Sequence, residues 1–320
     1  MDATLVTGAT GFIGSRVCQA LAGEPGGLIA VGRSEIALGE LHKKVLQFNP
    51  LGRFFPITHD LRNGGRHGGF PKGLRCRRVI HCASPVPKSG ANQAGLRPLD
   101  EEARFVTRGL QGLLEGCPPL EHLILLSSIA VYDTNCTSGR RPTESTALTS
   151  AVGGYGASKR EAEEVCKEHA MFHGTNLTIL RLSQVFGPDE PHGLGVSKMV
   201  KDACAGTTVV LQNAGDDIRD LLYVDDLVRI IHVVLTERIC GTFNVGTGNG
   251  SSMRAVAAAI REALHGRVPI ATLPRERVPS DTTVSNARLM ERLSGFVFTP
   301  LSVAIARCCE EEMRVRCRAA

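Results

Sequence analysis

The chain has 320 residues, 42% hydrophobic and 22% charged. That composition excludes a disordered or collagen-like polymer, and the length fits two domains or one large α/β domain with an appendage. Its 37 basic and 32 acidic residues leave a net charge of +5 without a long basic run, which suits small anionic ligands but does not by itself select them over nucleic acid.

The chain opens on "MDATLVTGAT", which enters a strand at once. It shows no basic stretch followed by an apolar one, so no signal peptide is expected. No apolar run approaches the roughly 20 residues needed to span a bilayer. A cytoplasmic protein with no membrane partner is expected. The eleven cysteines are odd in number, contain no C-x-x-C, and in part (Cys18, Cys82, Cys166) fall inside apolar patterns. Free buried thiols are expected, and no metal site.

Short apolar runs then alternate with helical patterns. Strands are predicted at Thr4–Thr7, Leu28–Val31, Phe54–Ile57, Arg78–Cys82, Leu123–Ser127 and Leu177–Leu182, with helices near 12–22, 35–46, 99–116 and 155–172. Such alternation predicts an α/β fold, a Rossmann doubly wound parallel sheet with ligands beyond the carboxyl ends of its strands. "FGPDEPHGLG" (186–195) reads as a loop. "RDLLYVDDLVRIIHVVL" (219–235) reads as a short strand, an N-cap at Asp225 or Asp226, and a helix. "GTFNVGTG" (241–248) reads as a strand and turn, and the last 70 residues as a smaller α/β appendage ending in a helix from Leu301 to about Val315. The domain division expected is 1–182 and 183–320, with 219–246 rejoining the first.

Within "TLVTGATGFIGSRVCQAL" (4–21), Gly8, Gly11 and Gly14 form G-x-x-G-x-x-G between a strand and a helix. The first glycine permits the turn. The second lets backbone approach a pyrophosphate, and the third lets helix and strand pack closely at a helix N-terminus rich in free N–H groups. The end of the second strand selects the dinucleotide. An acid there would bond a ribose hydroxyl, but this chain has Arg33, nineteen residues after Gly14, followed by Ser34. An arginine can pair a 2′-phosphate bidentately, so NADP is favoured over NAD.

Tyr155 and Lys159 stand four apart on the predicted helix and share a face. An ammonium about 4 Å from a phenolate at an effective dielectric of ~20 favours the anion by about 4 kcal/mol, which suits a phenol to acid–base work near neutral pH. Ser127 and Ser128 close an apolar strand, where a hydroxyl can bond the same substrate oxygen.

The motifs "TGATGFIG", "HDL" (59–61), "VIHCAS" (79–84), "LLSSIAVY" (125–132), "YGASK" (155–159), "LRLSQVFGP" (180–188) and "RDLLYVDDL" (219–227) occur in one order. Together they resemble the extended branch of the short-chain dehydrogenase/reductase family, which comprises NAD(P)-dependent nucleotide-sugar epimerases, dehydratases and ketoreductases. The resemblance covers nearly the whole chain. It implies a Rossmann domain with a C-terminal substrate domain, and Ser128, Tyr155 and Lys159 as the catalytic set, Ser128 standing four before Tyr132. It implies cofactor contacts from Thr10, Phe12 and Ile13 within the glycine turn, from Asp60 and Leu61 beside the adenine, and from Cys82, Ala83 and Ser84 along the cleft. Tyr155 and Lys159 would touch the cofactor too, Lys159 through the nicotinamide ribose. On the substrate side it implies Gln184, where many members carry Asn, and Arg219, with Arg275 or Arg277 as a second diphosphate contact. Val106 stands where an Asn is usual.

Dehydratases of this family follow the catalytic hydroxyl with an Asp-Glu pair, whereas this chain has Ile129 and Ala130. Hydride transfer at a carbinol or ketone of a nucleotide-linked sugar remains, of the 4-ketoreductase or 4-epimerase type. "IHCASPVP" (80–87) also resembles the dihydroflavonol and cinnamoyl reductases, so an NADPH-dependent reductase of small hydrophobic carbonyls is the alternative. A non-catalytic dinucleotide sensor ranks below both, since Tyr155 and Lys159 are intact. Nothing suggests nucleic-acid binding. A homodimer through helices 99–116 and 155–172 is expected from the resemblance.

Overall fold

The computed structural model describes residues 1–50, 52–63, 73–84, 107–115, 119–132, 141–149, 154–190 and 195–319. By internal contacts the chain divides into two compact units: Met1–Asp133, Ala147–Arg181 and Val228–Phe243 form one, and Thr134–Thr146, Leu182–Leu227 and Asn244–Ala320 the other.

The first unit is built on a seven-stranded sheet. Its strands are β1 (Asp2–Thr7), β2 (Gly27–Gly32), β3 (Arg53–Thr58), β4 (Arg75–His81), β5 (His122–Ser128), β6 (Asn176–Leu182) and β10 (Gly241–Val245), in the order β10-β6-β5-β4-β1-β2-β3. Pairing is parallel across β3-β2-β1-β4-β5. The helices α1 (Phe12–Leu21), α2 (Glu35–Phe48), α3 (107–115) and α4 (Gly154–His173) accompany it. The Rossmann fold expected from strand–helix alternation is therefore present. Both faces of the strands are covered, as parallel sheets require. Leu5, Ile29, Val79, Leu123 and Ile179 pack with Leu110 and Leu113 of α3 and Cys166 of α4, while the alternate residues Val6, Ala30, Ile80, Ile124 and Leu180 are equally buried. Each such side chain contributes about 1.5–3 kcal/mol. The strand order reverses between β1 and β4, and at such a reversal the carboxyl ends leave a crevice for a ligand.

The second unit holds a three-stranded sheet, β11 (Gly250–Ser252), β9 (Ile218–Tyr223) and β7 (Gln184–Phe186), and a parallel pair, β8 (Val209–Leu211) with β12 (Ile270–Thr272). The helices α5 (Gly195–Cys204), α7 (Met253–Ala263) and α9 (Leu301–Ala319) pack on one another, and the short α8 (Ala287–Met290) lies between the last two in the chain. Of the stretch 219–246, residues 219–223 thus lie in this small sheet and 241–245 in the large one.

Two helix boundaries differ from the sequence reading in ways the structure explains. Helix α6 (Val224–Thr236) begins before both aspartates, so Asp225 and Asp226 sit in its first turn, where a carboxylate meets the positive end of the helix. Asp226 accepts hydrogen bonds from the Thr299 amide at 2.8 Å and the Thr299 hydroxyl at 2.7 Å. Helix α9 runs to Ala319 rather than about Val315, its last turns joined by the pairs Arg314–Glu311 and Arg316–Glu312. Residues 99–106 and 116 of the helix expected at 99–116, Val106 among them, lie outside the described residues.

Leu123, fully buried in β5, sets the scale of core packing. Leu123→Ala should cost about 2–5 kcal/mol in urea unfolding. Ile36, 82% exposed on α2, should tolerate the same change within about 0.5 kcal/mol.

Candidate active site

Strand β1 ends in a turn that only glycine can make. Gly8 has φ +62°, and a Cβ there would stand 2.8 Å from the backbone of Ala83 beyond β4. A Cβ on Gly14 would overlap the Gly8 carbonyl oxygen, so the first turn of α1 lies directly on the loop. Gly11 is the N-cap, with no side chain bonded to the helix end and no acid in the first turn. The amide hydrogens of that turn and their positive end are thus left for an anion. This is the fit a dinucleotide pyrophosphate requires, at the crevice where the sheet order reverses. Thr10, Phe12 and Ile13 are half-buried around it.

The two strand ends are tied by a link that the sequence reading missed. The Ala83 amide donates to the Thr7 hydroxyl at 3.2 Å, and the Thr7 hydroxyl lies 2.8 Å from His81 Nδ1. Burial first, and then the charge of Lys159, push His81 down to about 3, so it stays neutral. Cys82, Ala83 and Ser84 follow it, half-buried, and burial pushes the Cys82 thiol up to about 12.

Arg33 stands exposed at the end of β2. The Ser34 hydroxyl caps α2, accepting from the Ala37 amide at 3.2 Å. Asp60 is gripped by Arg62, whose Nε and guanidinium reach both carboxylate oxygens, the shortest contact being 2.5 Å. Arg62, aided by the field of Arg33, holds the Asp60 carboxyl below its ordinary range against a smaller opposing effect of burial. Leu61 is buried in a 3₁₀ turn against α3, where a Cβ on Gly109 would overlap the Leu61 carbonyl.

On α4, Tyr155 is half-buried and Lys159 buried. The Lys159 ammonium lies 5.7 Å from the centre of the Tyr155 ring and donates to the Leu126 carbonyl of β5 at 2.8 Å. Ser128, two residues along β5, accepts the Ala130 amide at 3.1 Å and caps the 3₁₀ turn Ile129–Val131. Helix α4 can approach that turn because residue 156 is glycine; a Cβ there would overlap the Ala130 carbonyl oxygen. One turn further along α4, buried Glu163 accepts from the Ser127 hydroxyl at 2.6 Å and pairs with Arg181 of β6. Its position continues the four-residue series of Tyr155 and Lys159, which is the signal by which the sequence could have flagged it.

In the second unit, a Cβ on Gly195 would stand 2.6 Å from Gln184 Nε2. Arg219 donates to the Ser280 hydroxyl at 2.9 Å and faces Asp217 at 3.9 Å. Arg275 is ion-paired to Asp216, and Arg277 to Asp217 at 2.5 Å. Burial raises the Asp217 carboxyl, but Arg277, Ser280 and Arg219 outweigh it and hold the group well below the usual carboxylate range. Among the described residues no group of three or more His, Cys, Asp or Glu side chains is placed to share a metal ion. No described helix is long and apolar enough to cross a membrane.

Residues 4–246 match the model of the NAD dependent epimerase/dehydratase family, and the chain belongs to that family. It is 26% identical, over 95% of its length, to UDP-glucuronate 4-epimerase 4 of Arabidopsis thaliana, of which it covers 69%. It is 25% identical, over 94% of its length, to the dTDP-4-dehydro-6-deoxy-D-allose reductase of a Streptomyces species, covering 93% of that protein. Among solved structures, UDP-glucuronic acid 4-epimerase from Bacillus cereus, in complex with UDP-glucuronic acid and NAD, aligns with a TM-score of 0.78 at 21% identity, covering 98% of this chain and 99% of that one. At that identity the likeness speaks for the fold. With these relatives the chain is an NAD(P)-dependent enzyme of the extended short-chain dehydrogenase/reductase type, as its motifs led us to expect.

Two outcomes follow. Gly14→Ala should weaken dinucleotide binding at least about tenfold in a fluorescence titration, because one misplaced ångström in a positioning element costs up to about 10²-fold. Gly23→Ala, whose Cβ would meet no neighbour, should leave it unchanged. Asp217→Asn should destabilise the protein by about 1.5–3 kcal/mol at pH 7. A carboxyl whose folded value is depressed contributes stability above its ordinary value near ~4 and loses it as pH falls through the folded value. The gap between wild type and variant in denaturant melts should therefore begin to narrow below about pH 4 and keep narrowing as the pH falls further.

Proposed function

From membership of the NAD dependent epimerase/dehydratase family, we propose that this enzyme moves hydride at a carbinol or ketone carbon of a nucleotide-linked sugar. Tyr155 is its acid–base group and NADP its dinucleotide. The observation that carries this reading is the Lys159 ammonium, fixed to the Leu126 carbonyl and set beside the Tyr155 ring, in the same unit as an uncapped glycine turn.

The turn of Gly8, Gly11 and Gly14 would hold the pyrophosphate, with Ala83 and Lys159 along the nicotinamide half. Bound there, the nicotinamide supplies hydride or accepts it. The protein handles the proton. In the reducing direction Tyr155 Oη gives its proton to the carbonyl oxygen as the carbon is reduced, and in the oxidising direction it takes the proton from the hydroxyl. Lys159 stabilises the phenolate that donation leaves behind. The Ser128 hydroxyl, whose oxygen already accepts the Ala130 amide, has its proton free to bond the same substrate oxygen. Elimination of water would need an acid beside Ser128 to protonate the leaving hydroxyl, and the turn there is Ile129, Ala130 and Val131.

NADP is favoured by Arg33, exposed at the end of β2 with its field on Asp60, and by Arg62 beside it. Two guanidinium groups around one carboxylate leave positive charge where a 2′-phosphate would lie. The nucleotide-sugar class is supported by the relatives, a UDP-sugar 4-epimerase and a dTDP-sugar reductase. Gln184, Arg219 and Arg275 are proposed as the substrate side, Arg275 being recruited from its pair with Asp216.

Tyr155→Phe should reduce hydride transfer by about 10²–10⁴-fold while dinucleotide affinity holds, measured by titration and single turnover. A variant of undiminished rate would remove Tyr155 from the reaction. Arg33→Glu should weaken NADPH binding by about 10–100-fold, the scale of a charge-assisted pair, with NADH little affected. Equal losses for both would contradict a phosphate contact. Mass spectrometry of the ligand released from purified protein separates the two forms of the reaction: a retained dinucleotide marks an epimerase, and stoichiometric NADPH consumption a reductase.

A further inference from the structure

Three points on the segment 126–132 are tied to buried groups of α4 and β6. Lys159 holds the Leu126 carbonyl. Glu163 holds the Ser127 hydroxyl at 2.6 Å. Arg181 donates from one terminal nitrogen to the Tyr132 hydroxyl at 3.0 Å and lies over the Tyr132 ring at 5.1 Å. Glu163 and Arg181 are joined by two parallel hydrogen bonds, Nε to Oε1 at 3.0 Å and a terminal nitrogen to Oε2 at 2.7 Å, with the side chains 0% and 4% exposed. Ser128 lies between the outer two of these attachments.

We propose that Glu163 and Arg181 are positioning residues for the reaction: their ion pair sets where the Ser128 hydroxyl stands relative to Tyr155 and Lys159. The inference rests on the reading of those three residues as the reacting set. Stability does not explain the pair. Taking both charges out of water costs several kcal/mol per ion, and apolar replacement of such a pair is often neutral or stabilising. What an apolar pair cannot supply is direction. The Glu163 carboxylate takes one bond from β5 and two from β6 while riding on the helix that carries Tyr155 and Lys159. It therefore fixes helix, strand end and turn in one register. Tyr155, Lys159 and Glu163 are spaced by four, so a rotation or slide of α4 that displaced the phenol would also break the Ser127 bond. Sites that transfer protons need geometry held to about 0.5 Å.

The test is the double variant Glu163→Leu/Arg181→Met, made in the full chain. It removes both charges and so leaves no orphaned ion. Hydride transfer is followed in single turnovers by the absorbance of reduced nicotinamide, with UDP-glucose and UDP-glucuronate as probes and NAD or NADP supplied. Thermal melting and dinucleotide titration run in parallel. The proposal expects melting at or above wild type, unchanged dinucleotide affinity and probe KM, and a transfer rate lower by about 10–100-fold. A stable double variant with the wild-type rate would overturn it, because a purely structural pair predicts that outcome. Should the double variant not fold, Glu163→Gln takes its place with the same readings. Crystal structures of wild type and variant form the second arm. A change of more than about 0.5 Å in the Ser128 Oγ to Tyr155 Oη separation supports the proposal, and coincident positions overturn it. If the wild type turns over neither probe, the assignment of the reaction is what fails, and the crystallographic arm still decides the role of the pair.

Discussion

The bond from the Lys159 ammonium to the Leu126 carbonyl is the constraint on which the rest of the site depends. A lysine left in solvent would spread its charge over many rotamers. Here its head is buried, directed at one backbone oxygen, and placed beside a phenol ring. The bond also spans two elements, helix α4 and strand β5, so the helix that carries Tyr155 is tied to the strand that ends at Ser128. The small volume of residue 156 makes it possible, because only glycine lets α4 settle on the Ala130 carbonyl.

Around that contact the fold supplies direction. Parallel strands deliver β1, β4 and β5 to one end of the sheet, where Gly8, His81 and Ser128 terminate them. The Thr7–His81–Ala83 link joins β1 to β4 without introducing a charge, since burial keeps the imidazole neutral. The imidazole thus adds no second positive charge to that of Lys159. This arrangement suits a site where negative charge must develop on an oxygen during turnover.

Features set by local chemistry were legible in the sequence. The glycine turn, the four-residue spacing of Tyr155 and Lys159, and the six strands of the first half depend on neighbours within a few residues, and the structure places each strand within three residues of its predicted bounds. Features set by distant partners were not. Nothing local shows that Arg181 will meet Glu163 eighteen residues earlier, or that Arg275 and Arg277 will be taken up by Asp216 and Asp217 about sixty residues away. Ser34 illustrates competition of another kind. A hydroxyl just ahead of a helix can cap it as well as meet a ligand, and the structure shows the cap. Asp60, expected beside the adenine, has both of its oxygens engaged by Arg62 two residues on. The helix that begins at Val224 rather than after the aspartates adds a further case, since Asp226 in its first turn is bonded by Thr299, a partner 73 residues away.

The central claim is that the carbon–hydrogen bond of the substrate is broken as hydride while Tyr155 handles only the oxygen-bound proton. A sugar nucleotide carrying deuterium at the reacting carbon, beginning with UDP-glucose labelled at carbon 4, tests this most directly when dinucleotide and sugar are both analysed by mass spectrometry after turnover. The account predicts that the label passes to the nicotinamide or returns to the sugar without exchange into water. Loss of the label to water during turnover would show proton abstraction from carbon and contradict it.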